Sequence, residues 1–230
     1  MKTRRNLAII VAGGSGIRMN AGMPKQYLPI AGKPILALAV DPFEKSPLID
    51  EIILVVSEEY LAYASREIVD KYNLKKVSKI ISGGATRRES VLAGLSACPQ
   101  VSDYVAIHDG VRPFVRTSLI EQLFIAVQQT GAAIPAVNAK DTVKFVEKNF
   151  IVSTIPREKA FLAQTPQVFR YINILEFHRK AADQNFEATD DAILAEQYGM
   201  KVVIVPGYYD NIKITTPEDL ILAEEIMKKW

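Results

Sequence analysis

The sequence of 230 residues has one cysteine, Cys98, and two histidines, His108 and His178. A single cysteine excludes an intramolecular disulfide framework and fits a reducing compartment, so a cytoplasmic location is expected. So few thiol and imidazole ligands give little support to a zinc site. Neither disulfides nor zinc are therefore expected to stabilise this fold.

Charge of one sign and long apolar runs are also lacking. The 28 Lys and Arg residues nearly balance the 26 Asp and Glu residues, which leaves a formal net charge of +2. This charge is too small to attract nucleic acid or an anionic membrane through bulk electrostatics. The longest apolar runs, at 7–12 and 34–40, fall far short of the roughly 20 residues that span a bilayer, and the first is too short for an export signal. We expect no nucleic-acid partner and no membrane partner.

The chain shows no internal repeat, low-complexity tract or linker, so a single domain over residues 1–230 is predicted. Runs rich in β-branched residues predict strands at 7–12, 52–56, 77–81, 104–107, 132–137 and 202–205. Helical periodicity is found at 35–44, 60–72, 87–97, 119–130, 192–198 and 220–227. Because strands and helices alternate, the sequence predicts an α/β fold with a mostly parallel, twisted sheet flanked by helices.

One segment departs from this alternation. Residues 142–146 and 150–155 are apolar runs separated by three polar residues, a pattern that predicts an inserted β-hairpin arm within about 138–158. The arm carries apolar residues on both faces, and an isolated hairpin is marginally stable in water, so it should pack on another surface. From these residues alone, a second subunit and the arm's own domain are equally good candidates for that surface.

The first predicted strand ends in a glycine-rich turn, residues 12–16 (AGGSG), which Arg18 and Lys25 follow closely. Glycines at the carboxyl end of a strand let backbone N–H groups approach phosphate oxygens that side chains would otherwise block. The turn is not the dinucleotide fingerprint, because Met19 stands where its third glycine belongs, and no P-loop pattern occurs. The sequence therefore predicts a phosphate-binding loop with two cations that can neutralise a triphosphate.

Two further segments place polar groups where predicted strands end. Gly83 and Gly84 precede a helix that contains Ser90, so backbone and hydroxyl donors lie near a helix N-terminus. Asp109 follows the strand predicted at 104–107, at the edge of the sheet where α/β folds bind ligands, and its carboxylate suits Mg²⁺ or a ribose hydroxyl. The first segment by itself is also compatible with an ordinary capped helix, and for Asp109 by itself a solvated turn is favoured.

Several blocks of sequence follow one another in the order of a known family. The blocks are AGGSGIRM, PKQYL and GKPI within 12–35, GGATRRESV at 83–91, HDGVRP at 108–113, QTPQ at 164–167 and DNIKIT at 210–215. Over about residues 7–227 the chain resembles the cytidylyltransferases, and among them the 2-C-methyl-D-erythritol 4-phosphate cytidylyltransferase family. The resemblance implies a Rossmann-like, glycosyltransferase-A-like fold and a homodimer in which the arm crosses to the other subunit.

The same resemblance implies roles for individual residues. The residues expected to be catalytic are Arg18 and Lys25. Those expected to bind CTP are Ala12, Gly13, Gly14, Gly16, Gly83, Ser90, Asp109, Gly110 and Arg112. Those expected to position the acceptor phosphate are Arg157, Lys213, Thr142 and Thr165, with a further contact from Thr189. The carboxylates expected around Mg²⁺ are Asp109 and Asp210.

The implied reaction is in-line transfer of CMP from CTP to the phosphate of 2-C-methyl-D-erythritol 4-phosphate, with release of pyrophosphate. A phosphate monoester is already anionic at pH 7, so the site must neutralise charge and align the reactants rather than remove a proton. For this reason His108 is interpreted as structural rather than as a general base, and His178 as a packing residue.

Three alternatives stay open. The ribitol-5-phosphate cytidylyltransferases share several of the blocks, although residues 189–192 and 210–213 favour the erythritol enzyme. An NAD-dependent oxidoreductase would need the third glycine that the first turn lacks. A nucleotide-binding module without catalysis would bind CTP and release no pyrophosphate, but the cations near the glycine-rich turn favour an enzyme.

Overall fold

The computed structural model describes residues 5–14 and 23–230. The strands in this part of the chain are β1 (Asn6–Ala12), β2 (Pro29–Ile30), β3 (Lys33–Pro34), β4 (Glu51–Val56), β5 (Val77–Ser82), β6 (Tyr104–Asp109), β7 (Ala132–Asn138), β8 (Lys144–Glu147), β9 (Phe150–Thr154), β10 (Phe161–Ala163), β11 (Gln167–Arg170) and β12 (Val203–Pro206). The α-helices are α1 (Ile35–Lys45), α2 (Leu61–Tyr63), α3 (Arg87–Ala97), α4 (Thr117–Thr130), α5 (Tyr171–Asp183), α6 (Ala192–Gln197) and α7 (Pro217–Met227). Short 3-10 turns cover Lys25–Tyr27, Glu58–Tyr60 and Arg157–Lys159, and a π-helical segment covers Ala64–Asp70.

The central sheet has the strand order β10, β7, β11, β6, β1, β4, β5, and β12 pairs with β7. Strands β6, β1, β4 and β5 are parallel to one another, as is β12 to β7, whereas β10 and β11 run antiparallel to their neighbours. The predicted mostly parallel α/β sheet is confirmed. Among the described residues, no helix is long and apolar enough to cross a membrane.

Strand β1 shows how the sheet is covered on both faces. Successive residues of a strand point to opposite faces, and every residue of β1 is buried. Ile10 packs in a cluster with residues of α1 and α4, while its neighbour Ile9 packs with residues of α3, α5 and α6. The continuous apolar run of β1 is therefore explained by a helical layer on each side.

Two parts of the fold differ from the prediction. The predicted elements did not include β10, β11 or α5. The two strands have only three and four residues. The helix α5 does have a regular buried stripe, with Tyr171, Ile174, Leu175, His178 and Ala181 on one face, and the prediction missed it. The single helix predicted at 60–72 is instead a succession of 3-10, α- and π-helical turns. Hydrophobic periodicity predicts helical structure there but does not distinguish these hydrogen-bond patterns.

The inserted arm is a separate two-stranded sheet made by β8 and β9. Lys148 and Asn149 turn the chain between them with positive φ angles of 47° and 68°, as a tight hairpin turn requires. All residues of both strands are exposed, including Phe150 at 77% and Ile151 at 65%. The alternative in which the arm buries its apolar residues on its own domain is therefore wrong.

The parallel strands end together at one edge of the sheet. In the register of the sheet, Val11 is level with Asp109, and Ala12 is level with Val56, which is level with Ser82. The loops that follow β1, β5 and β6 therefore begin at the same edge of the sheet. These are the loops that carry the predicted nucleotide site.

Candidate active site

A cavity of about 300 Å³ opens at this carboxyl edge of the sheet. It is lined by Val11, Ala12, Gly13, Gly14, Lys25, Gln26, Gly84, Ala85, Thr86, Arg87, Ser90, Asp109, Val111, Lys213 and Thr215. Residues predicted for the catalytic, nucleotide and acceptor subsites thus meet in one cavity, although they come from widely separated parts of the sequence.

Two side chains hydrogen-bond to the backbone of residues 12–14, the described part of the glycine-rich turn. The Gln26 amide donates to the backbone oxygens of Ala12 (2.6 Å) and Gly14 (3.1 Å). The Ser57 hydroxyl donates to the backbone oxygen of Gly13 (3.0 Å). Because these carbonyl groups bind protein donors, the turn can offer its N–H groups to an anion.

Lys25 lines the cavity from the 3-10 turn Lys25–Tyr27, directly beside the buried Gln26. Sequence reasoning gave no role to Gln26, although an amide placed directly after a predicted catalytic lysine is a candidate for holding the loop beside it. The predicted partners Gly16 and Arg18 lie outside the described residues.

The loop after β5 is shaped around Ser90. The Ser90 hydroxyl accepts from the N–H of Gly84 (3.2 Å) and donates to the backbone oxygen of Thr86 (3.0 Å). A Cβ atom on Gly83 would lie only 2.6 Å from the Ser90 hydroxyl, so the loop requires glycine there. Thr86 and Glu89 form a capping box at the start of α3, so this segment is a capped helix start as well as part of the cavity wall. Gly84, rather than Gly83, lines the cavity.

Asp109, at the end of β6, is a buried carboxylate surrounded by cations. Its Oδ1 lies 3.0 Å from Nε of Arg87, and its Oδ2 lies 2.9 Å from Nζ of Lys213 and 3.8 Å from Nε of Arg112. Burial alone would raise the pKa of the Asp109 carboxyl, but the charges of Arg87, Lys213 and Arg112 hold this pKa well below its usual range. The carboxylate is therefore ionised at neutral pH and fixes the cations around it.

Gly110 and Arg112 support this cluster and do not line the cavity. A Cβ atom on Gly110 would lie 2.9 Å from the Cβ of Ala12, so glycine lets the end of β6 approach β1 closely. Arg112 donates to the backbone oxygen of Asn211 (2.8 Å) and thereby ties the segment that carries Lys213 to β6.

The buried His108 and Thr165 form a short chain of hydrogen bonds behind Asp109. His108 Nε2 lies 3.1 Å from the backbone oxygen of Arg112, which can only accept, so this nitrogen carries the proton. Burial lowers the pKa of His108 to about 4, so the ring is neutral and Nδ1 accepts from the Thr165 hydroxyl (2.9 Å). The same hydroxyl accepts from the N–H of Asp109 (3.2 Å).

This chain confirms the structural interpretation of His108. The Thr165 hydroxyl has one proton, which it donates to His108, whereas a phosphate oxygen would need a donor. The geometry therefore uses Thr165 to hold the backbone of Asp109 rather than to bind the acceptor phosphate.

The second carboxylate predicted to bind metal, Asp210, has a cation partner of its own. Asp210 is not among the cavity-lining residues, and its Oδ2 accepts from Arg116 at 2.6 Å. Arg116 in turn lies over the rings of Tyr208 (4.1 Å) and Trp230 (5.1 Å), so Asp210 is directed to this cluster instead of Asp109.

The residues of the cavity also fit a protein-held metal poorly. Asp109 is the one carboxylate among the residues that line it, and both of its oxygens already contact cations. In the described ranges, no group of three or more His, Cys, Asp or Glu side chains is arranged to hold a metal ion. A metal ion in this cavity would need most of its oxygen ligands from water or from the phosphates of a bound substrate.

The residues predicted to position the acceptor phosphate are not all brought together. Lys213 lines the cavity, whereas Thr142 and Arg157 lie exposed at the two ends of the arm and are absent from the lining. Thr189 is exposed in the loop before α6.

A second buried carboxylate, Asp191, was not predicted to belong to the site. Its Oδ2 lies 2.8 Å from Nη2 of Arg87, and its Oδ1 lies 3.1 Å from Nε2 of His178. Sequence reasoning interpreted residues 189–192 as a helix start and His178 as a packing residue. Only the fold, which brings α5 and the start of α6 beside α3, reveals the contact with Arg87.

Comparisons with known proteins agree with this geometry. The family model of 2-C-methyl-D-erythritol 4-phosphate cytidylyltransferase (IspD) matches residues 7–229. The chain is 48% identical to the 2-C-methyl-D-erythritol 4-phosphate cytidylyltransferase of Clostridium botulinum strain 657 over 98% of both chains. It is 45% identical to the protein of the same name from Geobacter metallireducens, over 96% of this chain and 97% of that one.

Solved structures give the same result. The 4-diphosphocytidyl-2C-methyl-D-erythritol synthase of Anaerococcus prevotii has a TM-score of 0.88 and 34% identity, covering 98% of this chain and 97% of that one. The 2-C-methyl-D-erythritol 4-phosphate cytidylyltransferase of Thermus thermophilus has a TM-score of 0.78 and 30% identity, covering 96% and 98%. The chain belongs to the 2-C-methyl-D-erythritol 4-phosphate cytidylyltransferase family.

Proposed function

We propose that this protein transfers CMP from CTP to 2-C-methyl-D-erythritol 4-phosphate, giving 4-diphosphocytidyl-2-C-methyl-D-erythritol and pyrophosphate for isoprenoid precursor synthesis. The observation that carries the proposal is the single cavity in which the glycine-rich turn and Lys25 face Asp109 and Lys213. The relatives bear the name of the erythritol enzyme, which supports erythritol phosphate over ribitol phosphate as the acceptor.

The attacking group is a phosphate oxygen that is already negative, so catalysis depends on charge and alignment. Lys25, together with Arg18, stabilises the charge that develops on the phosphates of CTP and on the leaving pyrophosphate. Lys213 directs the acceptor phosphate from the opposite wall, where Asp109 holds it. The neutral, fully hydrogen-bonded His108 takes no proton from the acceptor and supports the backbone beneath Asp109.

Magnesium enters with CTP as part of the substrate. This proposal follows from the cavity, where one carboxylate, Asp109, is already paired with Arg87 and Lys213. Mg²⁺ retains several waters and is commonly held by substrate phosphates with few protein ligands. The ion neutralises part of the triphosphate charge, and the protein supplies the rest through its lysines and arginines.

The working unit is a homodimer of single-domain chains, in which the arm of each chain reaches the site of the other. This proposal is supported by Phe145, Phe150, Ile151 and Val152, which are 49–77% exposed on an arm that does not pack on its own domain. Exposed apolar surface of this kind marks a contact with another molecule. The arm would bring Arg157 and Thr142 to the acceptor phosphate of the neighbouring site.

We also propose a cytoplasmic location, because the single cysteine, Cys98, is a free thiol and allows no disulfide within the chain. The function is tested by incubating the protein with CTP and Mg²⁺ and measuring pyrophosphate release. We expect release with 2-C-methyl-D-erythritol 4-phosphate and much slower release with ribitol 5-phosphate. A preference for ribitol 5-phosphate, or no release with either acceptor, would contradict the proposal.

A further inference from the structure

Asp191 and Asp109 are two buried carboxylates joined by one guanidinium. Arg87 places Nε 3.0 Å from Oδ1 of Asp109 and Nη2 2.8 Å from Oδ2 of Asp191. The side chain of Asp191 is 1% exposed and that of Asp109 is 7% exposed, so water cannot replace either contact. The two carboxylates therefore fix both the position and the plane of the guanidinium, because its donors have a rigid fork geometry.

Besides Arg87, two side chains hold Asp191 in place. Its Oδ1 contacts Nε2 of His178 (3.1 Å), and its backbone N–H donates to Oε1 of Gln167 (3.1 Å), which also accepts from the N–H of Ala192 (2.9 Å). Burial alone would raise the pKa of the Asp191 carboxyl, but the charge of Arg87 and the contact with His178 lower it. Asp191 is therefore charged, and its position is set by His178 on α5 and Gln167 on β11 rather than by contacts with a bound ligand.

In this network of charges, Arg87 is placed where it can contact a ligand. It lines the cavity from the first turn of α3, beside Gly84 and Ser90. With Asp109 alone as a partner, the guanidinium could rotate about a single contact. With Asp191 as a second partner, Nε and Nη2 are both fixed, so the whole guanidinium keeps one orientation at the cavity.

We propose that Asp191 is a positioning residue, which holds Arg87 against Asp109 and thereby sets the affinity of the cavity for CTP. His178 and Gln167 are the supports that keep Asp191 in place. The inference rests on the proposed function in one respect, namely that CTP occupies this cavity. Asp191 itself lies behind Arg87 and touches no reactant.

The test compares CTP binding by the full-length protein and by Asp191→Asn, measured by isothermal titration calorimetry without acceptor. We expect CTP affinity to fall about tenfold, because the guanidinium loses one of the two buried carboxylates that fix its orientation. Asp41→Asn is the control, because Asp41 is also an ion-paired carboxylate, held by Lys33 and Lys45, and neither it nor its partners line the cavity. Its CTP affinity should stay within about twofold of the parent protein.

The deciding measurement repeats Asp191→Asn in the Arg87→Gln background. If Asp191 acts through Arg87, its substitution should change CTP affinity by less than about twofold once Arg87 is already absent. An equal loss in both backgrounds, or unchanged affinity in Asp191→Asn alone, would overturn the proposal. Should Asp191→Asn not fold, Asp191→Glu, which keeps the charge but moves it by one methylene, is carried through the same cycle with the same criteria.

Failure of this inference and failure of the proposed function are distinguishable. If the parent protein binds CTP but forms no product with 2-C-methyl-D-erythritol 4-phosphate, the proposed function is contradicted. The CTP affinities of Asp191→Asn in the parent and Arg87→Gln backgrounds still decide the role of Asp191. A parent protein that forms product while Asp191→Asn binds CTP normally contradicts only the inference. A parent protein that binds no CTP contradicts both.

Discussion

The Nζ atom of Lys213 lies 2.9 Å from Oδ2 of Asp109, although the two residues are far apart in the sequence. Asp109 ends a strand at the centre of the sheet, and Lys213 lies in the segment before α7. The side chain of Lys213 is 39% exposed, so the ion pair fixes a cation at the mouth of the cavity while leaving it accessible. An incoming phosphate can thus share Lys213 with Asp109.

The first prediction concerns Lys213. Lys213→Ala should raise the KM for the acceptor about 10-fold to 100-fold, since a hydrogen bond to a charged group contributes about 1.5–3 kcal/mol. CTP affinity should change much less, because Arg87 still pairs with Asp109. Steady-state kinetics with each substrate varied in turn measures the split. Lys228→Ala, at an exposed lysine that pairs with Glu225 on α7, is the control. A larger effect on CTP than on the acceptor would contradict the assignment.

The second prediction concerns Lys25. Lys25→Ala should lower kcat about 10²-fold or more, because a charge contact that strengthens in the transition state is lost. Lys33→Ala is a suitable control, since Lys33 lies nearby in the chain but pairs with Asp41 and is not part of the cavity lining. Single-turnover measurement of pyrophosphate formation separates this effect from product release. A kcat within a few-fold of the parent value would show that Lys25 is not catalytic.

The third prediction concerns the arm. Ile151→Asp should convert the dimer to a monomer, because it places a charge on an apolar face that the dimer buries. Val101→Asp is the matched control, since Val101 is 70% exposed outside the arm, close to the 65% of Ile151. Light scattering after size-exclusion chromatography measures the mass of each variant. The proposal fails if Ile151→Asp remains dimeric, or if the parent protein is itself a monomer.

The fourth prediction concerns which chain supplies Arg157. Arg157→Ala and Lys25→Ala should each be nearly inactive as pure dimers. If Arg157 acts on the neighbouring site, a mixed dimer of the two variants contains one site with both residues intact. Activity should therefore return when the two proteins are unfolded together and refolded. Activity no higher than that of either variant would show that Arg157 serves its own chain, or neither.

The fifth prediction concerns acid stability. Burial lowers the pKa of His108 in the folded protein to about 4, whereas an unfolded histidine has a pKa of about 6.5. Between these values the unfolded chain binds a proton that the folded chain does not, so the free energy of unfolding decreases as the pH falls through this window and is unaffected by His108 above it. The loss amounts to about 3 kcal/mol at pH 4.

Urea unfolding at pH 7.0 and pH 4.5 measures this loss. His108→Gln removes the titrating group, so its free energy of unfolding should fall less than that of the parent protein between the two pH values. Equal falls in both proteins would show that His108 does not contribute to the acid sensitivity.

Much of the fold could be predicted from the sequence because periodicity reports burial. The parallel strands β1, β4 and β6 are largely apolar and buried, and the capped start of α7 follows from the short-range pair of Thr216 with Asp219. The antiparallel strands β10 and β11 escaped prediction because three or four residues show no clear period.

The site could be predicted only in part, for a physical reason. A motif identifies residues at the ends of strands, such as Asp109, because the fold places ligands there. It cannot show which charges pair across the fold. Asp191 pairs with Arg87, and Asp210 pairs with Arg116, through contacts that depend on how α3, α4 and α6 are packed. These two ion pairs therefore became evident only from the structure.

The central claim is that a phosphate of the acceptor attacks CTP in this cavity and displaces pyrophosphate. Phosphorus NMR of a reaction with CTP, Mg²⁺ and 2-C-methyl-D-erythritol 4-phosphate tests it most directly. The account predicts that the monoester signal of the acceptor is replaced by two mutually coupled diphosphate signals, with one equivalent of pyrophosphate. An unchanged acceptor signal, or CTP hydrolysed to CMP without a new diphosphate, would contradict it.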